Sequence, residues 1–190
     1  MNTLSFRGSP AAVAAVRCKA EGRSHHMPRD RSPKPHAGAY VDALKMLARR
    51  ERSEAQIRER LARRGHSVDE VESATIRLKD QGAIDDVRVA RAIARTQVSV
   101  KRRGRMRVRW AIEAAGIARE TARRVVDELF GEVDGGELLE RALAARLPQG
   151  RAIRDEREFQ RLYRFLMTQG FEADQVMRVL SERRKAKPEA

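Results

Sequence analysis

Between Val87 and Glu113 the chain carries Arg88, Arg91, Arg95, Lys101, Arg102, Arg103, Arg105, Arg107 and Arg109 before any acidic residue. A guanidinium group is a flat fork of N–H donors that matches phosphate and carboxylate oxygens, so this run points to anion binding. Glu113, Glu120, Asp127 and Glu128 are placed to answer it, too few to neutralise it. A solvated helix face and pairing with distant acids compete with this reading; the local excess favours a binding surface. Gly104 interrupts the run, so Lys101 to Arg105 are expected to form an exposed loop between helices. Trp110 could stack on a nucleobase. Its place between Val108 and Ile112 favours packing over the edge of a core instead.

Other chemistries find less support. Asp85 and Asp86 sit just ahead of an apolar pattern at Val89, Ala90 and Ile93, where an aspartate caps orphan amides and favours the positive end of the helix dipole. Capping is therefore the preferred reading over an acid pair for catalysis or metal binding. His25, His26 and His36 lie in a Pro- and Gly-rich stretch with no scaffold to fix ligand geometry. Cys18 is the single cysteine, which rules out an intrachain disulfide and a cysteine cluster for zinc. There is no glycine-rich phosphate loop, no metal-ligand spacing and no nucleophile beside a histidine, so neither an enzyme nor a cofactor is expected.

The elements that must position the arginines repeat. Ile57 and Leu61 precede Gly65, and Val71, Ala74, Thr75 and Leu78 follow it; Val108 and Ile112 precede Gly116, and Ala122, Val125, Val126 and Leu129 follow at the same offsets. Leu162 and Leu166 precede Gly170, with Val176, Val179 and Leu180 after it and Arg183 at the last apolar position. Such spacing gives two amphipathic helices joined by a left-handed glycine that ends the first, with His66, Ile117 and Phe171 folding back. Ser53 with Gln56, and Ser67 with Glu70, have capping-box spacing. A leading helix completes each unit: Tyr40, Ala43, Leu44 and Leu47 in the first, Val89, Ala90 and Ile93 in the second, Leu139, Ala142 and Leu143 in the third.

A period of about fifty residues made of short helices implies stacked modules that gain stability from their neighbours. The expected fold is all-α, an elongated array of three tandem three-helix repeats that could curve. We place the repeats at 38–84, 85–133 and 134–185, after a disordered basic tail at 1–37 and before a frayed end at 186–190. Pro148 and Gly150 break the third repeat, whose middle helix holds Phe159, Leu162, Tyr163, Phe165, Leu166 and Met167, by default core. Arg183, Arg184, Lys185 and Lys187 read as a basic, frayed end. Met27, just ahead of the repeats, is a candidate translation start. Aromatic residues make up 4% and charged residues 36% of the chain, which predicts thin cores. The formal charge of +14 points to a polyanionic partner, whether DNA, RNA or an acidic protein surface. Ala11 to Val16 is too short to span a membrane and no signal peptide pattern follows, so a reducing cytoplasm is expected.

The phrase Leu47-Ala48-Arg49-Arg50-Glu51-Arg52-Ser53, the Gly65 turn and the junction Gly82-Ala83-Ile84-Asp85-Asp86, set in three helical repeats, resemble the RecX family of bacterial recombinase regulators. The resemblance runs from about Tyr40 to Arg184 and is weakest in the third repeat. It implies an all-helical protein that binds the RecA filament on single-stranded DNA along its helical groove, hindering strand exchange, ATP turnover and coprotease activity. Arg95, Lys101, Arg102, Arg103, Arg105, Arg107 and Arg109 would then contact acidic RecA surfaces or filament DNA. DNA contact, direct or through the filament, would be weak and salt-sensitive, and a monomer is the expected state. The alternative is a helix-turn-helix-like DNA-binding protein acting without RecA, against which stands the lack of a helix with obvious base-reading side chains.

Overall fold

The computed structural model describes residues 38–149 and 151–185; the readings of Cys18, the three histidines, Met27, Gly150 and both ends of the chain lie outside the described residues. Among the described residues there are helices and no strand: α1 (Ala39–Leu47), α2 (Glu54–Arg63), α3 (Val68–Asp80), α4 (Asp86–Ser99), α5 (Arg105–Glu113), α6 (Arg119–Glu132), α7 (Gly135–Ala144), α8 (Glu156–Gln169) and α9 (Ala173–Lys185). They pack as the triplets α1–α3, α4–α6 and α7–α9, each helix touching both others of its triplet. This is the all-α repeat array that the spacing predicts.

The glycine turns form for the expected reason. Gly65, Gly116 and Gly170 have φ of 89°, 79° and 90°, a region that side chains resist. His66, Ile117 and Phe171 turn back into the buried interior. The His66 and Phe171 amides donate to the Leu61 and Leu166 carbonyls at 3.3 and 3.4 Å, closing the ends of α2 and α8. Ser67 and Glu70 make a full capping box. At Ser53 only half of the box forms: its oxygen accepts from the Gln56 amide at 3.2 Å, and its hydroxyl donates to the Ala115 carbonyl of the second triplet.

Three expectations are corrected. The inward face of α1 is Ala39, Asp42, Ala43 and Met46, with Leu44 exposed and Tyr40 and Leu47 only partly covered. The rotated stripe places Asp42 inside, where His66 and Arg64 meet it. Arg183 and Arg184 are not frayed: both lie in α9 and pair with Glu140 at 2.7 Å and Glu156 at 2.9 Å. Arg183 can therefore stand at an otherwise apolar repeat position. Lys101 to Arg105 do not form a wholly exposed loop either, since Gly104 is buried.

The buried apolar side chains form two clusters. One belongs to α1–α3; the other runs without a break from Val89 in α4 to Leu180 in α9. The first cluster joins the rest largely through polar contacts: Asp86 accepts from the Glu54 amide at 2.9 Å, Glu51 pairs with Arg88 at 2.6 Å, and Ser53 reaches Ala115. The second and third triplets are fused where the α4–α5 loop meets the α8–α9 turn. The Gly104 amide donates to the Gln169 carbonyl at 3.0 Å and the Met106 amide to the Gly170 carbonyl at 3.1 Å. A Cβ on Gly104 would run into the Gly170 carbonyl, whereas one on Gly65 would meet nothing. Gly65→Ala is expected to cost about 1 kcal/mol, from backbone conformation alone. Gly104→Ala is expected to cost about 2 kcal/mol or more, from steric conflict with a backbone that cannot yield. Equilibrium urea unfolding of the two variants checks the order.

Candidate functional site

The basic centre is built on the end of α4, the loop after it and α5. Asp85 starts α4 as a cap, accepting from the Val87 and Arg88 amides at 2.9 and 3.0 Å. The Arg88 amide chiefly, with the Val87 amide and nearby arginine charges, outweighs burial and holds the Asp85 carboxyl below its usual value. Both aspartates are thus spent on helix starts, Asp85 on α4 and Asp86 on α2. Among the described residues no group of three or more His, Cys, Asp or Glu side chains is arranged to hold a metal ion.

The seven candidate cations separate by what they touch. Arg105 pairs with Asp127 and lies 5.1 Å from the Phe130 ring centre; Arg109 lies 3.7 Å from Glu113. Arg103 donates to the Gln169 side chain, half-buried between the second and third triplets. Arg102, at a left-handed φ of 52°, donates to the Arg141 carbonyl at 3.4 Å. Among the described residues Arg95, Lys101, Arg102, Arg103 and Arg107 meet no carboxylate within ion-pair distance, while Arg91 takes Glu128 at 3.0 Å. The structure brings Arg107 and Arg109 together around one cleft with Met106, Trp110 and Met167, and leaves Arg95 lining a separate depression with Arg91, Glu128 and Glu132.

Trp110 does not cover the core. It is 57% exposed, with the Arg107 guanidinium 4.7 Å from its ring centre. The reason is helix geometry: Val108 and Ile112, four apart, both point inward and are fully buried, so the residue midway between them points out. Met106 and Met167 are exposed beside it. A cation-flanked aromatic with two methionines is a surface that can stack on a flat group or take an apolar side chain. Trp110 is the sole tryptophan, so intrinsic fluorescence reads this surface directly. We expect open quenching by acrylamide in the folded protein, and a Trp110→Ala variant with stability within about 0.5 kcal/mol of wild type.

Comparison with known proteins fixes the family. Residues 39–78 match the family model for the RecX first three-helix domain. The regulatory protein RecX of Chromohalobacter salexigens is 36% identical over 141 residues, covering 74% of this chain and 89% of that one. That of Halorhodospira halophila is 37% identical over 144 residues, covering 70% and 81%. The chain belongs to the RecX family. Its fold also matches two crystal structures: one of a regulatory protein RecX, with a TM-score of 0.66, 24% identity and coverage of 76% of this chain and 70% of that one, and RecX from Lactobacillus salivarius, with a TM-score of 0.61, 22% identity and coverage of 76% and 93%.

Within the part that matches the RecX domain, the sequence reading missed two things. One is a second cationic cluster where α1 meets α2, hidden because its arginines fall on both sides of a turn. The other is the buried Asp42, whose Oδ2 lies 3.2 Å from both His66 Nε2 and an Arg64 guanidinium nitrogen. Burial pushes the Asp42 carboxyl up, but hydrogen bonds from His66 and Arg64 and the charges of Arg64 and Lys45 more than offset this, leaving it below the ordinary 3.8. A lowered carboxylate pKa stabilises the fold above the unfolded value and loses that contribution as pH falls through the folded value. Urea melts at about pH 6 and about pH 3 should show Asp42→Asn to be less stable than wild type at the higher pH, with the gap narrowing at the lower.

Proposed function

We propose that this protein binds the RecA filament on single-stranded DNA and restrains its recombinase, ATPase and coprotease activities. The observation that carries the reading is membership of the RecX family over most of the chain, through relatives named as regulatory proteins. The action is occupancy of the filament groove by the repeated helices, not catalysis. Five cations that have no carboxylate partner among the described residues, Arg95, Lys101, Arg102, Arg103 and Arg107, supply a field that favours acidic protein surfaces and DNA phosphates alike. Arg105 and Arg109 contribute less to contact because Asp127 and Glu113 already engage them.

The protein acts as a monomer in the cytoplasm, and its own contact with DNA is weak and salt-sensitive. Among the described residues no helix is long and apolar enough to cross a membrane.

RecA ATPase on single-stranded DNA tests this reading, with the protein titrated well below the amount needed to coat the DNA. Loss of turnover at those amounts is the expected result, and unaltered turnover refutes the reading. The triple variant Lys101→Ala/Arg102→Ala/Arg107→Ala should need on the order of tenfold more protein for the same inhibition; equal potency would remove the patch from the contact.

A further inference from the structure

A second cleft, of about 330 Å³, lies where the end of α1 and the following turn meet α2. Among the described residues it is lined by Lys45, Arg49, Arg52, Arg60, Arg63 and Arg64, with Met46 as the one uncharged side chain. No acid lines it. Arg63 is engaged by Glu59 at 2.6 Å, Arg64 by Asp42 at 3.2 Å and Lys45 by Asp42 at 4.0 Å. Among the described residues Arg49, Arg52 and Arg60 have no carboxylate within ion-pair distance; Arg60 donates only to the Gln56 carbonyl, at 3.2 Å.

Arg52 is the informative member. Its Nε and Nη1 are out of contact with solvent and, among the described residues, have no hydrogen-bond partner. Burial, then the like charges of Arg60, Arg50 and Arg49, weakens its hold on its proton. Two guanidinium nitrogens that have given up water without replacement are an unfavourable arrangement that a bound anion would relieve. The backbone beside Arg52 is fixed. The next residue, Ser53, is fully buried, caps α2 and donates to the Ala115 carbonyl, so the backbone carrying Arg52 is pinned between two triplets.

We propose that this cleft is a phosphate-binding site, taking the phosphates of a nucleic-acid strand or of a free nucleotide. Three uncompensated cations around one cavity exceed what a single carboxylate satisfies, and guanidinium forks match phosphate oxygens two at a time. The inference rests on the charge of the cleft itself and is independent of any action on RecA.

The test uses the full chain without RecA. Binding of a fluorescein-labelled oligothymidylate is followed by anisotropy at several salt concentrations, and the melting temperature is compared in pyrophosphate, ATP and chloride at equal ionic strength. The variant Arg49→Gln/Arg60→Gln leaves Arg52 in place; Arg49→Gln alone, at an exposed position, serves if the double variant is unstable. If the source is a strand, the double variant binds oligothymidylate about tenfold more weakly, and its salt slope falls by about 1.4, roughly 0.7 for each cation removed. If the source is a nucleotide, the variant loses the extra thermal stabilisation that pyrophosphate and ATP confer on wild type, while strand binding is unchanged. Oligothymidylate affinity, salt slope and pyrophosphate response all equal to wild type would overturn the proposal.

Discussion

The close approach of two backbones at Gly104 and Gly170 is the constraint on which the second half of the protein depends. Amides of the α4–α5 loop donate to carbonyls of the α8–α9 turn, and neither strand of that contact has room for a side chain. Because the loop is held there, α5 packs on α8 and the apolar interior of α4–α6 continues into that of α7–α9. The same contact carries Arg103 inward to Gln169 and leaves Arg107 and Trp110 on the outer surface of α5. One packing requirement thus separates arginines that hold the fold together from those that face outward.

The first triplet is attached differently. Its interior is closed by its own residues, and its junction with α4 uses helix caps and an ion pair: Asp86 on the Glu54 amide, Ser53 on the Ala115 carbonyl, Glu51 on Arg88. Capped amides and a buried hydroxyl specify direction more sharply than apolar contact does, since each fails if its partner moves by about an ångström. Ser53 fixes the backbone next to Arg52, at one edge of the arginine cleft.

Charge is distributed under a shortage of acids. With 41 basic residues against 27 acidic ones, pairing cannot be complete. The carboxylates go where they also do structural work, as Asp85 and Asp86 at helix starts, Asp42 inside the first triplet, and Glu158 beneath Arg151 and the Arg154 amide. The surplus cations are left at the central loop and in the α1–α2 cleft, so the fold itself concentrates positive potential in particular places.

Local rules determined much of this from the sequence. The three glycine turns, the Ser67 and Asp85 caps and the paired apolar positions of each second helix follow from φ, hydrogen-bond valence and the 3.6-residue period, which depend on near neighbours only. The same period also held the information that Trp110 faces outward, because it lies midway between two inward residues four apart; its size suggested core more strongly than its angle allowed. What only the tertiary structure decided are contacts between residues distant in sequence. The rotated face of α1 meets a partner for Asp42 more than twenty residues away, Arg183 pairs with Glu140, and two triplets join by backbone contact at a pair of glycines. The arginine cleft belongs to the same class. Charges in sequence mark a field, but which guanidinium is left without a partner depends on where every carboxylate comes to rest.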